Sequence, residues 1–221
     1  MSTNVLAMGG TGTGKSYSMK NLDPSETFLI KVVNQPLPFA GGKQKYIKFT
    51  TANQNGNTIT TDDSVIIART MQHVSDNKPN VKTLLIDDMQ YSMSNTFMRK
   101  HSSTGAGSAV FDLYNEIGDQ AWNLFMLSMK LRDDLIVIFL SHSEESETGK
   151  TRFKSIGRML DEKIVVEGLF TIVLETVFED DKFHFITQNN GRNSAKSPEN
   201  MFPEKIIDND LQMVVDCINN Y

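Results

Sequence analysis

The segment Gly9-Gly10-Thr11-Gly12-Thr13-Gly14-Lys15-Ser16 fits the pattern G-x-x-x-x-G-K-[ST], and no other feature constrains the chain as much. Such a loop has to be delivered by a strand and left by a helix, so it dictates an α/β unit. Its glycines let the backbone wrap closely around phosphates with N–H groups aimed inward. The helix that follows adds the positive end of its dipole. The local context agrees. Residues 5–8 are apolar, and residues 15–20 read as a short helix. Asn21-Leu22-Asp23-Pro24 ends it, because proline disfavours helix in the residue before it. The candidate nucleotide-binding residues are Gly9, Gly10, Thr11, Gly12, Thr13, Gly14, Lys15, Ser16 and Tyr17. In this pattern the lysine reaches the β- and γ-phosphates and the Ser16 hydroxyl ligates Mg²⁺.

A loop of this kind needs acidic partners, and Thr83-Leu84-Leu85-Ile86-Asp87-Asp88 supplies them at the end of a hydrophobic strand. Asp87 is the candidate for the Mg²⁺ shell. Asp88 is either the base for an attacking water or a turn-capping residue; as a shorter carboxylate than glutamate it would work through a bridging water. Residues 135–140 (LIVIFL) are apolar at every position, as in a central parallel strand covered on both faces. The ends of such strands lie near the ligand. His142, two residues on, is therefore placed to sense a γ-phosphate, or else is a structural residue at a strand end. Glu116 lies on a helix with no reason to reach the site.

Elsewhere the reading is coarser. Residues 27–33 form a strand, and 34–57 are irregular with a short strand at 46–49. Thr61-Asp62-Asp63 caps a helix over 64–74, with Ile67, Met71 and Val74 on one face. Residues 102–108 form a small-residue loop. A long helix over 109–131 buries Tyr114, Ile117, Ala121, Leu124, Ser128 and Leu131, and its Trp122, Phe125 and Met129 read as core. Residues 143–155 are polar and hydrated. Strands at 169–178 and 183–188 flank the turn Glu179-Asp180-Asp181-Lys182. A loop over 189–202 and a helix over 211–219 follow. This alternation predicts an α/β fold, a three-layer sandwich with a mostly parallel sheet and a C-terminal antiparallel hairpin at an edge.

Two sets of cations lie in loops. Lys150, Arg152 and Lys154 alternate after the fourth strand and are placed to touch nucleic-acid phosphates, although Glu144, Glu145 and Glu147 precede them. Arg192 and Lys196 follow the last strand. They are either solvated loop charges or fingers for a neighbouring subunit's γ-phosphate.

With 221 residues the chain suits one domain, 1–221. Its net charge of −5 is unlike that of a strongly basic nucleic-acid binder, so a role with nucleic acid has to rest on local loops. The single cysteine, Cys217, excludes a disulfide framework and fits a cytoplasmic protein. There is no apparent signal peptide, and the longest apolar run is too short to span a bilayer.

Absences narrow the class. There is no Asn/Thr-Lys-x-Asp for reading guanine and no Leu-Ser-Gly-Gly of transporter ATPases. Residues 143–158 hold only Arg152 and Arg158 beside several acids, which is poor for the lid of a small-molecule kinase. About thirty residues after the hairpin leave no room for the helical lid of AAA+ motors.

The phosphate loop, Leu84-Leu85-Ile86-Asp87-Asp88-Met89-Gln90-Tyr91, Phe139-Leu140-Ser141-His142, Ile156-Gly157-Arg158-Met159-Leu160-Asp161-Glu162-Lys163 and Thr187-Gln188-Asn189-Asn190-Gly191 together resemble one group. It is the phage-encoded, core-only RecA-like P-loop ATPases, AAA-type ATP-binding proteins that include single-strand annealing recombinases. The resemblance covers nearly the whole chain. It implies a RecA-like core without extra terminal domains, ATP and Mg²⁺ as ligands, and single-stranded DNA as partner. It also implies self-assembly into a homo-oligomer, a single-strand-binding protein as further partner, and the host cytoplasm as the setting. Lys15, Ser16 and Asp87 carry over by role; His142, Arg192 and Lys196 carry over by position. Two other classes stay open: a nucleotide-switched protein-binding module and a small-molecule P-loop kinase.

Overall fold

The computed structural model describes residues 1–156 and 164–221. Its strands are β1 (Thr3–Gly9), β2 (Thr27–Lys31), β3 (Thr58–Thr60), β4 (Thr83–Asp87), β5 (Ile136–Glu145), β6 (Thr151–Phe153), β7 (Ile172–Glu179), β8 (Lys182–Ile186) and β9 (Ile206–Asp208). The central sheet runs in the order β3-β2-β4-β5-β1-β7-β8-β9. From β3 to β7 every pairing is parallel; β8 and β9 add antiparallel strands. The short β6 pairs antiparallel with the far end of β5. The helices include a single turn, α1 (Gly42–Lys45), then α2 (Ser64–Asn77), α3 (Gln90–Lys100) and α4 (Ser108–Ser128), with a C-terminal helix over Leu211–Asn219.

Two hydrophobic layers hold this sheet. On one face Ile67, Met71 and Val74 of α2, Met93 of α3, and Ile117, Leu124 and Phe125 of α4 pack on Leu6, Leu84, Val137 and Phe139. On the other, Met19 and Leu22 join Leu211, Val214 and Val215 of the C-terminal helix against Val5, Leu85, Ile138 and Leu174. Leu135 and the whole run 136–140 are buried, which answers its unbroken apolar sequence. Phe125 meets Phe139 and Phe170 edge-to-face at 5.1 and 5.5 Å between centroids. Each such pair adds about 1 kcal/mol beyond its burial. The cluster packs β5 against α4 and against Phe170 just ahead of β7, and so helps fix what β5 carries at its end.

Local chemistry explains several boundaries. Asp63 caps α2 by accepting from the N–H groups of Val65 and Ile66. The β7–β8 turn has Asp180 and Asp181 both at positive φ (50° and 58°). A two-residue hairpin turn matched to strand twist requires this, and aspartate tolerates it.

The short helix expected over 15–20 forms at that place, as a six-residue 3-10 helix, Ser16–Asn21. The Ser18 hydroxyl donates back to the Lys15 carbonyl, and Pro24 stands too close for a longer helix to grow. A helix this short supplies little dipole. Other expectations are corrected. The strand expected at 46–49 shrinks to an isolated bridge between Lys48 and Thr58, because β3 takes the place beside β2. Residues 143–155 are a β-hairpin of β5 and β6 where a hydrated loop is expected; Gly149, at φ 74°, turns the chain. α3 has no counterpart in the sequence reading. Its buried face is Gln90, Ser92, Met93 and Thr96, which hides the helical period. The edge strand β9 is likewise new, so the β7–β8 hairpin lies one strand in from the edge. Of the quoted motif beginning at Ile156, residues 157–163 lie outside the described residues.

Candidate functional site

The phosphate loop leaves the C-terminal end of β1, and β5 separates β1 from β4. Residues far apart in sequence therefore meet at these strand ends. Parallel pairing sets Gly9 beside His142, and Asp87 beside Lys31. A cavity of about 580 Å³ opens over them, lined by Gly12, Gly14, Lys15, Ser16, Tyr17, Lys31, Asp87, Asp88, Tyr91, His142 and Phe183, with residues 35–38 overhanging it.

The loop is anchored to β7 through the Thr13 and Thr176 hydroxyls, 2.6 Å apart. A methyl group on Gly9 would fall 2.0 Å from the Thr176 Oγ1, so no larger residue fits there. The Lys15 ammonium is buried and donates to the carbonyls of Gly9 (3.0 Å) and Gly10 (2.7 Å). Burial pulls its pKa below the usual lysine value, against the opposing charges of Asp88 and Asp87. A triphosphate is the ligand that would restore a counter-charge to it.

The Ser16 hydroxyl donates to Asp87 Oδ1 at 2.8 Å. Asp87 is buried, and burial pushes its carboxyl up to about 6, helped by the neighbouring charge of Asp88 and opposed by Ser16, Lys15 and Lys31. A hydroxyl and a carboxylate held together in this way suit Mg²⁺, which is bound by few protein oxygens and completed by phosphate and water. Among the described residues no cluster of three or more His, Cys, Asp or Glu side chains offers a self-sufficient metal cage. The residues present thus fit a cation that arrives with its nucleotide.

Asp88 follows across a cis peptide bond. Its Oδ2 lies 3.0 Å from His142 Nε2, while its Oδ1 is buried without a partner. The other ring nitrogen of His142 is 3.5 Å from the Lys15 ammonium. Tyr91 of α3 packs edge-on against the imidazole, at 5.5 Å between centroids. Lys15, Ser16, Asp87, Asp88 and His142 are therefore one connected cluster.

The other sequence candidates lie apart from it. Arg192 is exposed; its carbonyl accepts from the N–H of Thr151. Lys196 bridges Val173 through two backbone hydrogen bonds, three residues before Thr176 on β7. Neither lines the cavity of its own chain. Lys150 and Lys154 are exposed on the β5–β6 hairpin, while Arg152 pairs with Glu144 at 2.7 Å. The Lys154 N–H donates to the carbonyl of His142, which ties the hairpin to the cluster. Glu116 pairs with Lys100, outside the cavity.

Lys31 is the site residue that sequence reasoning misses. It ends β2, lines the cavity, donates to the carbonyl of Gln35 and acts on the Asp87 carboxylate. The signal is slight: Lys31 is the one charged residue in the run 27–33, and only the structure shows that it ends the strand, where ligands of a parallel sheet bind.

β5 between β1 and β4, a phosphate loop on β1 and an acid at the end of β4 make this a RecA-like P-loop NTPase fold. No protein-family model matches the chain, and no curated protein does either. Among solved structures it is similar to the KaiC-like protein PH0186 from the hyperthermophilic archaea Pyrococcus horikoshii OT3. Identity is 14% and the TM-score 0.43, over 93% of this chain and 88% of that one. It is also similar to a DnaB-like replicative helicase described with its interactions with primase. There identity is 16% and the TM-score 0.48, over 83% of this chain and 51% of the helicase, so the chain spans about half of that protein. Among the described residues no helix is long and apolar enough to cross a membrane.

Proposed function

We propose that this chain is a Mg²⁺-dependent ATPase, a single RecA-like domain over 1–221. In this reading it is a phage-encoded protein of the host cytoplasm that works on single-stranded DNA in annealing or recombination, as a homo-oligomer and alongside a single-strand-binding protein. One observation carries the ATPase reading: the Ser16–Asp87 hydrogen bond of 2.8 Å shares a cavity with the Lys15 ammonium and the Asp88–His142 pair. Mg²⁺ held by Ser16 and Asp87 would neutralise charge on the phosphates. Lys15 and Lys31 add cations from two sides. Asp88, held by His142 through Oδ2, is the base that orients a water for attack.

The DNA reading is supported by the link from His142 into the β5–β6 hairpin. His142 senses the γ-phosphate, and its carbonyl holds Lys154, so the state of the site reaches the exposed Lys150 and Lys154. Arg192 and Lys196 are left to act on a neighbouring subunit. Binding of a fluorescent oligo-dT across a salt series tests this. The wild-type chain with a non-hydrolysable ATP analogue should show a steep log–log salt slope, reduced by about 0.7 for each of Lys150→Ala and Lys154→Ala. Binding without salt dependence, or none with any nucleotide, would remove the DNA role.

A protein-binding switch is the second reading, favoured by Val65, Ile66, Met98 and Phe111, exposed on the helices of one face. It predicts nucleotide binding with turnover indifferent to DNA.

A further inference from the structure

The site described so far handles phosphates and a cation; none of its residues reads a base. Yet one wall of the same cavity is aromatic. Tyr17 follows Ser16 directly, and its ring meets that of Phe183 at 5.4 Å between centroids, tilted by 47°. Both rings line the cavity. Phe178, paired with Phe183 across the β7–β8 hairpin, continues the wall outward at 4.9 Å and is half exposed. The buried core residue of β8 is Phe185; Phe183, on the same side of the strand, stands beyond it and faces the cavity.

A second, independent observation lies beside this wall. Asn209 is only 6% exposed, and both its Oδ1 and its Nδ2 lack a partner. Leaving a buried amide unpaired costs free energy, so its presence asks for a reason. Continuing the β8–β9 register places it opposite Phe183. A methyl group on Gly14 would lie 2.9 Å from Asn209 Oδ1 and 2.9 Å from the Phe183 ring, so amide, ring and phosphate loop meet at one point. Asp210, the next residue, caps the C-terminal helix and bonds Asn21 of the 3-10 helix, which holds Asn209 in place.

We propose that Tyr17 and Phe183 form the platform on which the nucleobase stacks, and that Asn209 reads the base edge and favours adenine. This deepens the triphosphate reading above and rests on it. Stacking on an aromatic ring tolerates any base, since every base has a π-face. Discrimination then needs a hydrogen-bonding edge. An amide with donor and acceptor both free pairs bidentately with N6 and N7 of adenine. Asn209 is buried and does not line the cavity in the free chain, so the proposal requires an entering base to displace the Phe183 ring that meets the amide at Gly14.

Calorimetric titration of the full chain with Mg·ATP, Mg·GTP and Mg·tripolyphosphate tests the proposal. Tyr17→Leu and Phe183→Leu keep apolar volume and remove the ring. Each should weaken ATP roughly tenfold or more while leaving tripolyphosphate unchanged. Asn209→Leu should preserve folding, checked by thermal melting, and abolish a preference for ATP over GTP. Parallel weakening of ATP and tripolyphosphate, or no weakening of either, overturns the platform. An unchanged ATP-to-GTP ratio in a folded Asn209→Leu chain overturns the edge reader. Ring variants that weaken oligo-dT binding but not ATP would assign the rings to DNA instead and refute the proposal. Lys15→Ala separates the two levels. It should lose tripolyphosphate, and a wild-type chain that binds no tripolyphosphate refutes the triphosphate reading itself.

Discussion

Replacing Asp87 with asparagine should make the free chain more stable while removing the carboxylate proposed to hold Mg²⁺. Asp87 is buried and its carboxyl is raised from an ordinary 3.8 to about 6. A shift of about two units corresponds to about 3 kcal/mol against the charged form. The sign follows from proton uptake. Between about pH 4 and 6 the folded chain holds a proton that the unfolded chain has released, so stability is lost as pH rises through this window and stays lost above it. The amide oxygen introduced by Asp87→Asn would keep an acceptor for the Ser16 hydroxyl without the buried charge or the repulsion from Asp88. Urea unfolding at pH 8 with chelator and no nucleotide should show Asp87→Asn about 1–3 kcal/mol more stable, a midpoint shift of about 1 M. The gap should shrink to about half by pH 5 and to a few tenths of a kcal/mol by pH 4. A variant no more stable than wild type at pH 8, or a gap that ignores pH, would refute the reasoning. Metal sites that exchange stability for function in this way are expected to gain stability when disarmed.

Two further outcomes follow from the cluster. Asp88→Asn should keep ATP affinity within a few-fold and lower turnover by roughly 10²–10⁴, read in a phosphate-release assay; normal turnover would place the base elsewhere. Lys31→Met removes the second cation from the cavity, so it should lower turnover and raise the Asp87 pKa further, shifting the pH dependence of Mg·ATP binding upward; an unmoved pH profile would leave Lys31 without a part.

The candidate phosphate loop is legible in the sequence because it is one continuous stretch of backbone, Gly9 to Ser16. Asp87 is equally plain, since an acid closing TLLI has few other uses. The caps at Asp63 and the closing helix are local too. What stays hidden depends on register or on polar burial. Lys31 matters only because β2 pairs with β4 one strand away from β5. Phe183 on β8 and Asn209 just after β9 meet Gly14 from the far end of the chain. α3 buries Gln90, Ser92 and Thr96; the hydroxyls of Ser92 and Thr96 are satisfied by nearby backbone carbonyls, so the helix shows no apolar stripe. The β5–β6 hairpin alternates around charges that read as a hydrated loop, and the Arg152–Glu144 pair shows how they can face each other across two strands.

The most direct test of the account is Mg²⁺-dependent ATP hydrolysis by the wild-type chain and by Lys15→Ala, each with and without single-stranded DNA. The account predicts hydrolysis by wild type, stimulated by DNA and abolished by chelator, and none above background in the variant. Equal hydrolysis by both chains, or none by wild type under any condition, would contradict it.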